Sequence, residues 1–168
     1  MLEMKIINIG GPPNAGKSTV SKILNKRLPN SIFIEVDDLL SDAEHNALPD
    51  MKTRIAAHLA RLYEQLEKLV AEDKYDYVLF AYPMGMTCWN RVNEIAGDKA
   101  KFIVVTLSPK MAICQTNRGT RELTTQEVKR IAEMYAEGRN AFPKSDIIID
   151  NTNQTPEQTA KEIAAFIS

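Results

Sequence analysis

The chain has 168 residues and a mass of 18.9 kDa, which is the size of one ordinary domain. Its composition is 44% hydrophobic and 26% charged, which is typical of a globular protein and excludes disorder as the main state. The net charge of −1 argues against a protein that coats nucleic acid. No apolar run has the length of a membrane span and no secretory signal is visible, so we expect a cytoplasmic protein without a membrane partner.

Short apolar runs alternate with amphipathic segments along the whole chain. The runs rich in Ile, Val, Phe and Tyr predict five strands, over residues 4–9, 32–36, 75–80, 101–107 and 146–149. Because several of them are continuously apolar, we expect a parallel sheet that is buried on both faces. Strands that alternate with helices predict a three-layer α/β fold.

Apolar residues recur at helical spacing between the predicted strands. The longest such pattern covers residues 51–69. A later pattern covers residues 124–142 and opens on Thr124 and Glu127, which have the spacing of a capping box. Thr155 and Gln158 repeat that spacing at the start of the last predicted helix.

A phosphate-binding motif follows the first predicted strand. Residues 11–18 match the pattern GxxxxGK[ST], and an amphipathic helix begins directly after it. Glycines let the backbone N–H groups point at phosphate oxygens, and the helix adds the positive end of its dipole. The Lys17 ammonium can reach the outer phosphates, and the Ser18 hydroxyl can bind Mg²⁺. We therefore predict that ATP and Mg²⁺ bind to a loop over residues 10–19, through Gly11, Asn14, Ala15, Gly16, Lys17, Ser18 and Thr19.

Other site types lack their motifs. The sequence contains neither DxxG nor NKxD, which excludes the usual GTPase signature. The two cysteines and the two histidines do not have zinc-ligand spacing. We expect Cys88 and Cys114 to be buried apolar side chains. His45 and His58 are interpreted as helix or loop residues without a ligand role, with His58 hydrogen-bonded beside an apolar helix stripe.

Three segments resemble the small P-loop kinases of the nucleoside-monophosphate-kinase-like fold. They are the phosphate loop, residues 34–39 after the second predicted strand, and residues 117–121 with Val128 and residues 134–135 beyond them. The segments resemble the kinase domain of polynucleotide kinase and chloramphenicol phosphotransferase, and more distantly shikimate kinase and zeta toxins. The resemblance implies one P-loop kinase domain over residues 1–168, with a five-stranded parallel sheet and a short helical lid near residues 115–125.

The resemblance also implies roles for single residues. Asp37 matches the carboxylate that takes the proton from the acceptor hydroxyl, and a helix cap is the alternative. Arg118 matches the lid arginine that stabilises charge on the transferring phosphoryl group, and Lys17 completes the catalytic set. Asp38 either caps the following turn or holds Mg²⁺ through water. Arg121 either contacts the nucleotide or is a solvated lid residue.

The sequence departs from this kinase pattern at two positions. The third predicted strand ends without an acidic residue, at Ala81 and Tyr82, and Cys114 stands where relatives often carry an arginine beside adenine. By resemblance, adenine would instead lie between the lid base and the loop over residues 151–155. The basic side chains elsewhere are interpreted as solvated helix charges; these are Lys110, Lys129, Arg130 and Arg139.

The acceptor is predicted from two segments. Residues 82–89 contain aromatic side chains, two methionines and a glycine, which either line a pocket of mixed apolar character or pack on the core. Residues 31–50 contain six Asp and Glu side chains and no Lys or Arg, which would repel a polyphosphate. We therefore predict a kinase that phosphorylates a small hydroxyl-bearing molecule. The alternatives are a 5′-hydroxyl polynucleotide kinase and a non-catalytic ATP-binding module, and the protein could be a monomer or a homodimer.

Overall fold

A five-stranded parallel sheet forms the middle layer of the protein. The computed structural model describes residues 3–116 and 122–168. In chain order the strands are β1 (Met4–Gly10), β2 (Ser31–Glu35), β3 (Tyr77–Ala81), β4 (Ala100–Leu107) and β5 (Ile147–Ile149). They lie side by side in the order β2-β3-β1-β4-β5, and every neighbouring pair is parallel. The predicted fold class is confirmed.

Helices connect the strands and cover both faces of the sheet. Within the described residues they are α1 (Lys17–Arg27), α2 (Asp42–Ala47), α3 (Met51–Glu72), α4 (Met86–Ala96), α5 (Met111–Cys114), α6 (Thr125–Ala136) and α7 (Pro156–Ile167). Two short 3-10 turns, Val36–Asp38 and Arg139–Ala141, follow β2 and α6. Both turns lie close to the site described below.

The sheet separates two apolar clusters. One face packs on α3 and α4, through side chains such as Leu62, Leu66 and Val92. The other face packs on α1, α6 and α7, through a second set of buried apolar side chains that includes Val20, Leu24, Ile131 and Ile163. Adjacent residues of β1 point to opposite clusters, as the pleat of a strand requires. Both faces are covered, which explains the continuously apolar strands.

Among the predicted boundaries that differ from the structure, two differ for identifiable reasons. Val36 is not the end of β2, because its carbonyl accepts a hydrogen bond from Leu39 N–H and closes the 3-10 turn. The helix predicted over residues 124–142 ends at Ala136, because Gly138 has a left-handed backbone (φ 74°) that an α-helix does not continue. Phe142 consequently lies outside α6 and packs in the cluster against α3 and α4.

Local signals in the sequence hold at the other helix ends. Thr124 with Glu127 and Thr155 with Gln158 each form a complete capping box at the start of α6 and α7.

The two cysteines are free and buried, as predicted. Among the residues that the structure describes, no helix is long and apolar enough to cross a membrane.

Candidate active site

A cleft of about 500 Å³ opens where β1, β2 and β3 end at the same edge of the sheet. The carboxyl edge of a parallel sheet is where open α/β folds bind ligands, and the volume is typical of small-molecule sites. The cleft is lined by residues from the phosphate loop, the end of β2, α3, the end of β3 and α6; these include Asn14, Gly16, Lys17, Ser18, Thr19, Glu35, Asp37, Ile55, Ala81, Tyr82, Pro83, Arg130, Met134 and Arg139.

The phosphate loop has backbone conformations that its residue types permit. Gly11 and Gly16 have φ values of 129° and 97°, which glycine adopts at little cost. Asn14 has a φ of 63°, in the left-handed region that asparagine tolerates better than most residues. α1 begins directly after Gly16, so its N-terminus faces the cleft. The loop therefore has the form that the motif predicts.

Gly11→Ala is expected to abolish nucleotide binding. A Cβ at this position would lie 2.4 Å from the carbonyl oxygen of Leu107, and the φ value is itself unfavourable for alanine. The backbone strain alone costs about 1–3 kcal/mol, and the clash forces the loop to move. Titration with ATP in a calorimeter measures the loss.

The matched control for that substitution is Gly85→Ala. Gly85 has an ordinary φ of −133°, and a Cβ there would meet nothing within 4 Å. This variant should bind ATP like the wild type. Retention of full ATP affinity by Gly11→Ala would show that the loop does not bind the triphosphate as described.

Two side-chain amides tie the phosphate loop to neighbouring segments. The Asn14 amide donates to the carbonyls of Cys114 (2.9 Å) and Thr116 (2.8 Å), at the end of α5. The Asn151 amide donates to the carbonyl of Ala15 at 3.0 Å. The loop is thus held between the base of the predicted lid, at the end of α5, and the loop that follows β5. These are the two segments between which the sequence resemblance placed adenine.

Lys17 lies within the phosphate loop with its ammonium turned back on the loop. Its Nζ donates to the carbonyl of Pro12 at 2.7 Å. Burial lowers the pKa of Lys17 from 10.5 to about 8, although the negative charges of Asp37 and Glu35 oppose that shift. The positive charge of the buried ammonium is therefore only partly compensated, and an anionic phosphate would stabilise it.

Glu35 is a site residue that the sequence interpretation missed. Ser18 Oγ donates to Glu35 Oε1 at 3.1 Å, and both residues line the cleft. Burial raises the pKa of Glu35, against the effect of the Ser18 hydrogen bond. Lys22 Nζ lies 3.9 Å from the other carboxylate oxygen. Asp38, which the sequence proposed for the metal, is exposed and is not among the cleft-lining residues.

Asp37 lies on the 3-10 turn after β2 and lines the same cleft as the phosphate loop. Within residues 3–116 and 122–168, its carboxylate has no hydrogen bond or ion pair, which leaves it available to a ligand. Tyr82 and Pro83, from the end of β3, line the same cleft. Burial raises the pKa of the Tyr82 hydroxyl, and the charge of Arg139 offsets part of that increase. The charges of Asp37 and Arg139 therefore both act on the Tyr82 hydroxyl.

Arg130 and Arg139 correct the sequence interpretation, because both line the cleft rather than only a solvated helix face. Arg139 lies on the 3-10 turn after α6, and its Nε donates to Glu137 at 3.1 Å. Arg130 also contacts Glu137, at 3.2 Å. The predicted lid residues Arg118 and Arg121 lie outside the described residues.

The sequence allowed two interpretations of residues 82–89, a pocket lining or packing on the core, and the structure shows residues of the segment in both places. Tyr82 and Pro83 line the cleft, as the pocket interpretation predicts. Met84 is buried in the cluster beneath α3 and α4, and Trp89 packs against that cluster from α4. The cleft lining therefore includes the first two residues of the segment, together with Ile55 of α3.

The comparison with protein families matches residues 13–168 to the family model described as "SKI: Shikimate kinase". The chain belongs to the shikimate kinase family. The match begins inside the phosphate loop and continues through β5 and α7. The sequence resemblance pointed to the right group of kinases, and the family model selects shikimate kinase within that group.

The proteins similar to this shikimate kinase family member match nearly the full length of its chain. A shikimate kinase from Sulfurihydrogenibium sp. (strain YO3AOP1) is 26% identical over 166 residues, which cover 98% of each chain. The structure of a gluconokinase from Sinorhizobium meliloti 1021 has 15% identity and a TM-score of 0.69, with 98% of this chain and 91% of that chain covered. A shikimate kinase from Acinetobacter baumannii in complex with shikimate has 18% identity and a TM-score of 0.63, with 98% and 93% covered.

Family membership identifies the chain as a P-loop kinase that phosphorylates a hydroxyl group of a small molecule. The structural neighbours at these low identities support the fold. The family finding decides against the alternative of a non-catalytic nucleotide-binding module.

Proposed function

We propose that the protein transfers the γ-phosphoryl group of ATP, with Mg²⁺, to a hydroxyl of a small molecule that binds beside Asp37. One observation carries the proposal. A single cleft contains the phosphate-loop ammonium of Lys17, the Ser18–Glu35 pair and the free carboxylate of Asp37. These are the groups that hold a donor triphosphate and activate an acceptor hydroxyl.

On the donor side, the chain supplies positive charge and backbone donors. The loop N–H groups and the N-terminus of α1 bind the phosphate oxygens. The Lys17 ammonium leaves the Pro12 carbonyl and binds the outer phosphates, where its charge is better compensated. Arg130 releases part of its interaction with Glu137 and stabilises charge on the transferring group. Arg118 and Arg121 are proposed to contribute from the lid.

The acidic residues beside the loop fit a magnesium ion. Ser18 and Glu35 present oxygen atoms, the ligand type that Mg²⁺ prefers, and Asp37 is close by. Within the described residues no cluster of three or more His, Cys, Asp or Glu side chains could hold a metal, which suits an ion shared with the phosphates of ATP. When bound, Mg²⁺ neutralises phosphate charge and orients the γ-phosphoryl group.

On the acceptor side, Asp37 accepts the proton of the attacking hydroxyl. The oxygen of that hydroxyl then forms a bond to the γ-phosphorus as the bond to the β–γ bridging oxygen breaks. Ile55 and Pro83 offer an apolar surface to the carbon skeleton, while Arg139 can bind an anionic substituent near Tyr82. Shikimate has ring hydroxyls and a carboxylate, so it fits this set of groups and is the first acceptor to test.

A transfer assay tests the proposed function. The protein is incubated with ATP labelled in the γ-phosphate, Mg²⁺ and one acceptor at a time, and the labelled product is separated. Shikimate, gluconate and a 5′-hydroxyl oligonucleotide are the acceptors. We expect transfer to shikimate or to another small hydroxyl compound. Transfer to the oligonucleotide alone, or to no acceptor by protein that binds ATP, would contradict the proposal.

Glu35→Gln is expected to weaken the use of Mg²⁺. The amide keeps the size and can keep the contact with Ser18, but it removes the negative charge beside the ion. Changes around a metal site typically cost about 10–100-fold in metal affinity or activity, so the Mg²⁺ concentration for half-maximal transfer should rise by about that factor. A titration of transfer rate against Mg²⁺ measures the shift.

Asp38→Asn is the matched control, since it removes a carboxylate from the same acidic segment but outside the cleft. The Mg²⁺ requirement of this variant should equal that of the wild type. A large shift with Asp38→Asn and none with Glu35→Gln would return the metal role to Asp38, as the sequence first suggested.

A further inference from the structure

Two histidines form a hydrogen-bonded pair behind the turn that carries Asp37. His58 lies on α3, and its Nδ1 is 2.9 Å from the carbonyl oxygen of Val36. Its Nε2 is 3.2 Å from Nδ1 of His45, which lies on α2. The pair thus connects α2, α3 and the turn after β2. The sequence interpretation expected a hydrogen-bonded His58 but no connection to the site.

The partners fix where the protons of this pair lie. A carbonyl oxygen only accepts, so the Nδ1 of His58 must carry the hydrogen that is donated to Val36. In the neutral imidazole the Nε2 of His58 is then an acceptor, and it receives the Nδ1 hydrogen of His45. The hydrogen bonds therefore run in one direction, from His45 through His58 to the backbone before Asp37.

The Val36 carbonyl is part of the backbone that places Asp37. It shares one planar peptide unit with the backbone nitrogen of Asp37, so it cannot rotate without moving that residue. The same oxygen accepts the N–H of Leu39 at 3.2 Å, and the Val36 side chain is buried. Because the Asp37 carboxylate has no partner within the described residues, its position depends on this peptide unit.

His45 is itself held by polar contacts. α2 buries no side chain, and its start is fixed by the capping box of Ser41 and Glu44. Glu44 also forms an ion pair with Arg61 of α3 at 2.9 Å. α2 and its C-cap Leu48 contact α3 through the ion pair, the histidine contact and a hydrogen bond from Arg54 to the Leu48 carbonyl. Of these contacts, the histidine contact is the one that continues to the Asp37 turn.

We propose that His58, oriented by His45, is a positioning residue that holds Asp37 within hydrogen-bond reach of the acceptor hydroxyl. The proposal rests on the proposed role of Asp37 as the proton acceptor. Loss of this positioning is expected to lower kcat, the rate of the bound complex, since His58 is not among the residues that line the cleft. Misplacement of a reacting group by about 1 Å can lower a rate by about 10²-fold.

Two substitutions of similar size separate the contacts of His58. In His58→Asn the side-chain amide can occupy the place of Nδ1 and donate to the Val36 carbonyl. In His58→Gln the amide reaches the place of Nε2, which keeps a contact with His45 but removes the one with Val36. We expect kcat to fall by about 10–100-fold in His58→Gln and to stay within about threefold of the wild type in His58→Asn. The KM for ATP should be unchanged in both.

Arg61→Leu serves as the control for loss of contact between α2 and α3, and it should keep the wild-type kcat. Rates are expressed per ATP-binding site, counted by titration. Equal kcat values for the Asn and Gln variants, a matching decrease in Arg61→Leu, or loss of ATP-binding sites in His58→Gln would overturn the proposal in favour of a general structural role.

The Asp37→Asn variant separates this proposal from the function on which it rests. If Asp37 is not the proton acceptor, Asp37→Asn retains its rate and the proposed function fails. If Asp37→Asn is slow while His58→Gln has the wild-type kcat, only the positioning role fails. When both hold, adding His58→Gln to Asp37→Asn causes little further decrease, because the two changes act on one group.

Discussion

Asp37→Asn is expected to lower the rate of transfer to the acceptor by about 10²–10⁴-fold, the usual contribution of a general base. The amide has the size of the carboxylate and most of its hydrogen-bonding capacity, but it cannot accept the proton of the hydroxyl. A residual rate should remain, because phosphoryl transfer depends mainly on positioning and electrostatics. Single-turnover measurements with saturating ATP and acceptor give the rate of the transfer step itself.

The ATP affinity of Asp37→Asn should remain close to that of the wild type. Asp38→Asn, one residue further along the same turn, is the matched control and should leave the transfer rate unchanged. A large loss of ATP affinity in Asp37→Asn, with normal transfer at saturating ATP, would assign Asp37 to the donor instead of the acceptor.

Lys17→Ala is expected to reduce ATP binding and transfer together. A hydrogen bond to a charged group contributes about 1.5–3 kcal/mol, so ATP affinity should fall by about 10–100-fold. Loss of a donor that stabilises developing charge costs about 10²–10³-fold in the transfer step. Calorimetric titration and single-turnover kinetics measure the two losses separately. Retention of ATP affinity would contradict the role given to Lys17.

The lowered pKa of Lys17 gives the same prediction a pH dependence. Because burial brings the pKa to about 8, the ligand-free site loses the Lys17 proton as the pH rises through that value. ATP affinity should therefore be nearly constant below about pH 7 and should decline above about pH 8. Above that pH, binding should take up a proton, which titrations in buffers of different ionisation enthalpy detect. Lys17→Ala should show neither the decline nor the uptake.

The conformation of the phosphate loop could be predicted from the sequence because its motif is local. Its glycines, Lys17 and Ser18 all lie within residues 11–18, and the strand before them and the helix after them fix their arrangement. The five strands were found for a similar reason, since burial on both faces leaves a continuous apolar run in several of them. These features can be predicted without knowing which segments of the chain contact one another in the fold.

The residues that were missed are those that depend on tertiary contacts. Glu35 meets Ser18 only because β2 and the phosphate loop end at one edge of the sheet. Its position at the carboxyl end of the second predicted strand was a usable signal, since open α/β sheets bind ligands at that edge. Arg139 reaches the cleft because the chain turns at Gly138, which a helical reading of residues 124–142 did not include.

The helix α2 was also missed, although the Ser41 and Glu44 spacing of its capping box is visible in the sequence. It has no apolar stripe, and periodicity of apolar residues is the signal on which helix prediction mainly depends. The contact of His45 with His58 follows from how this short polar helix lies against α3, which no local pattern specifies.

A crystal structure with a non-hydrolysable ATP analogue, Mg²⁺ and the acceptor identified by the transfer assay would show the proposed roles of Lys17 and Asp37 in one complex. We expect the triphosphate on the loop of residues 10–19, with Lys17 Nζ on the outer phosphates. We also expect one acceptor hydroxyl within about 2.6–3.2 Å of the Asp37 carboxylate and facing the γ-phosphorus. An acceptor whose hydroxyl faces the γ-phosphorus without contacting Asp37, or a triphosphate bound away from the loop, would contradict these roles.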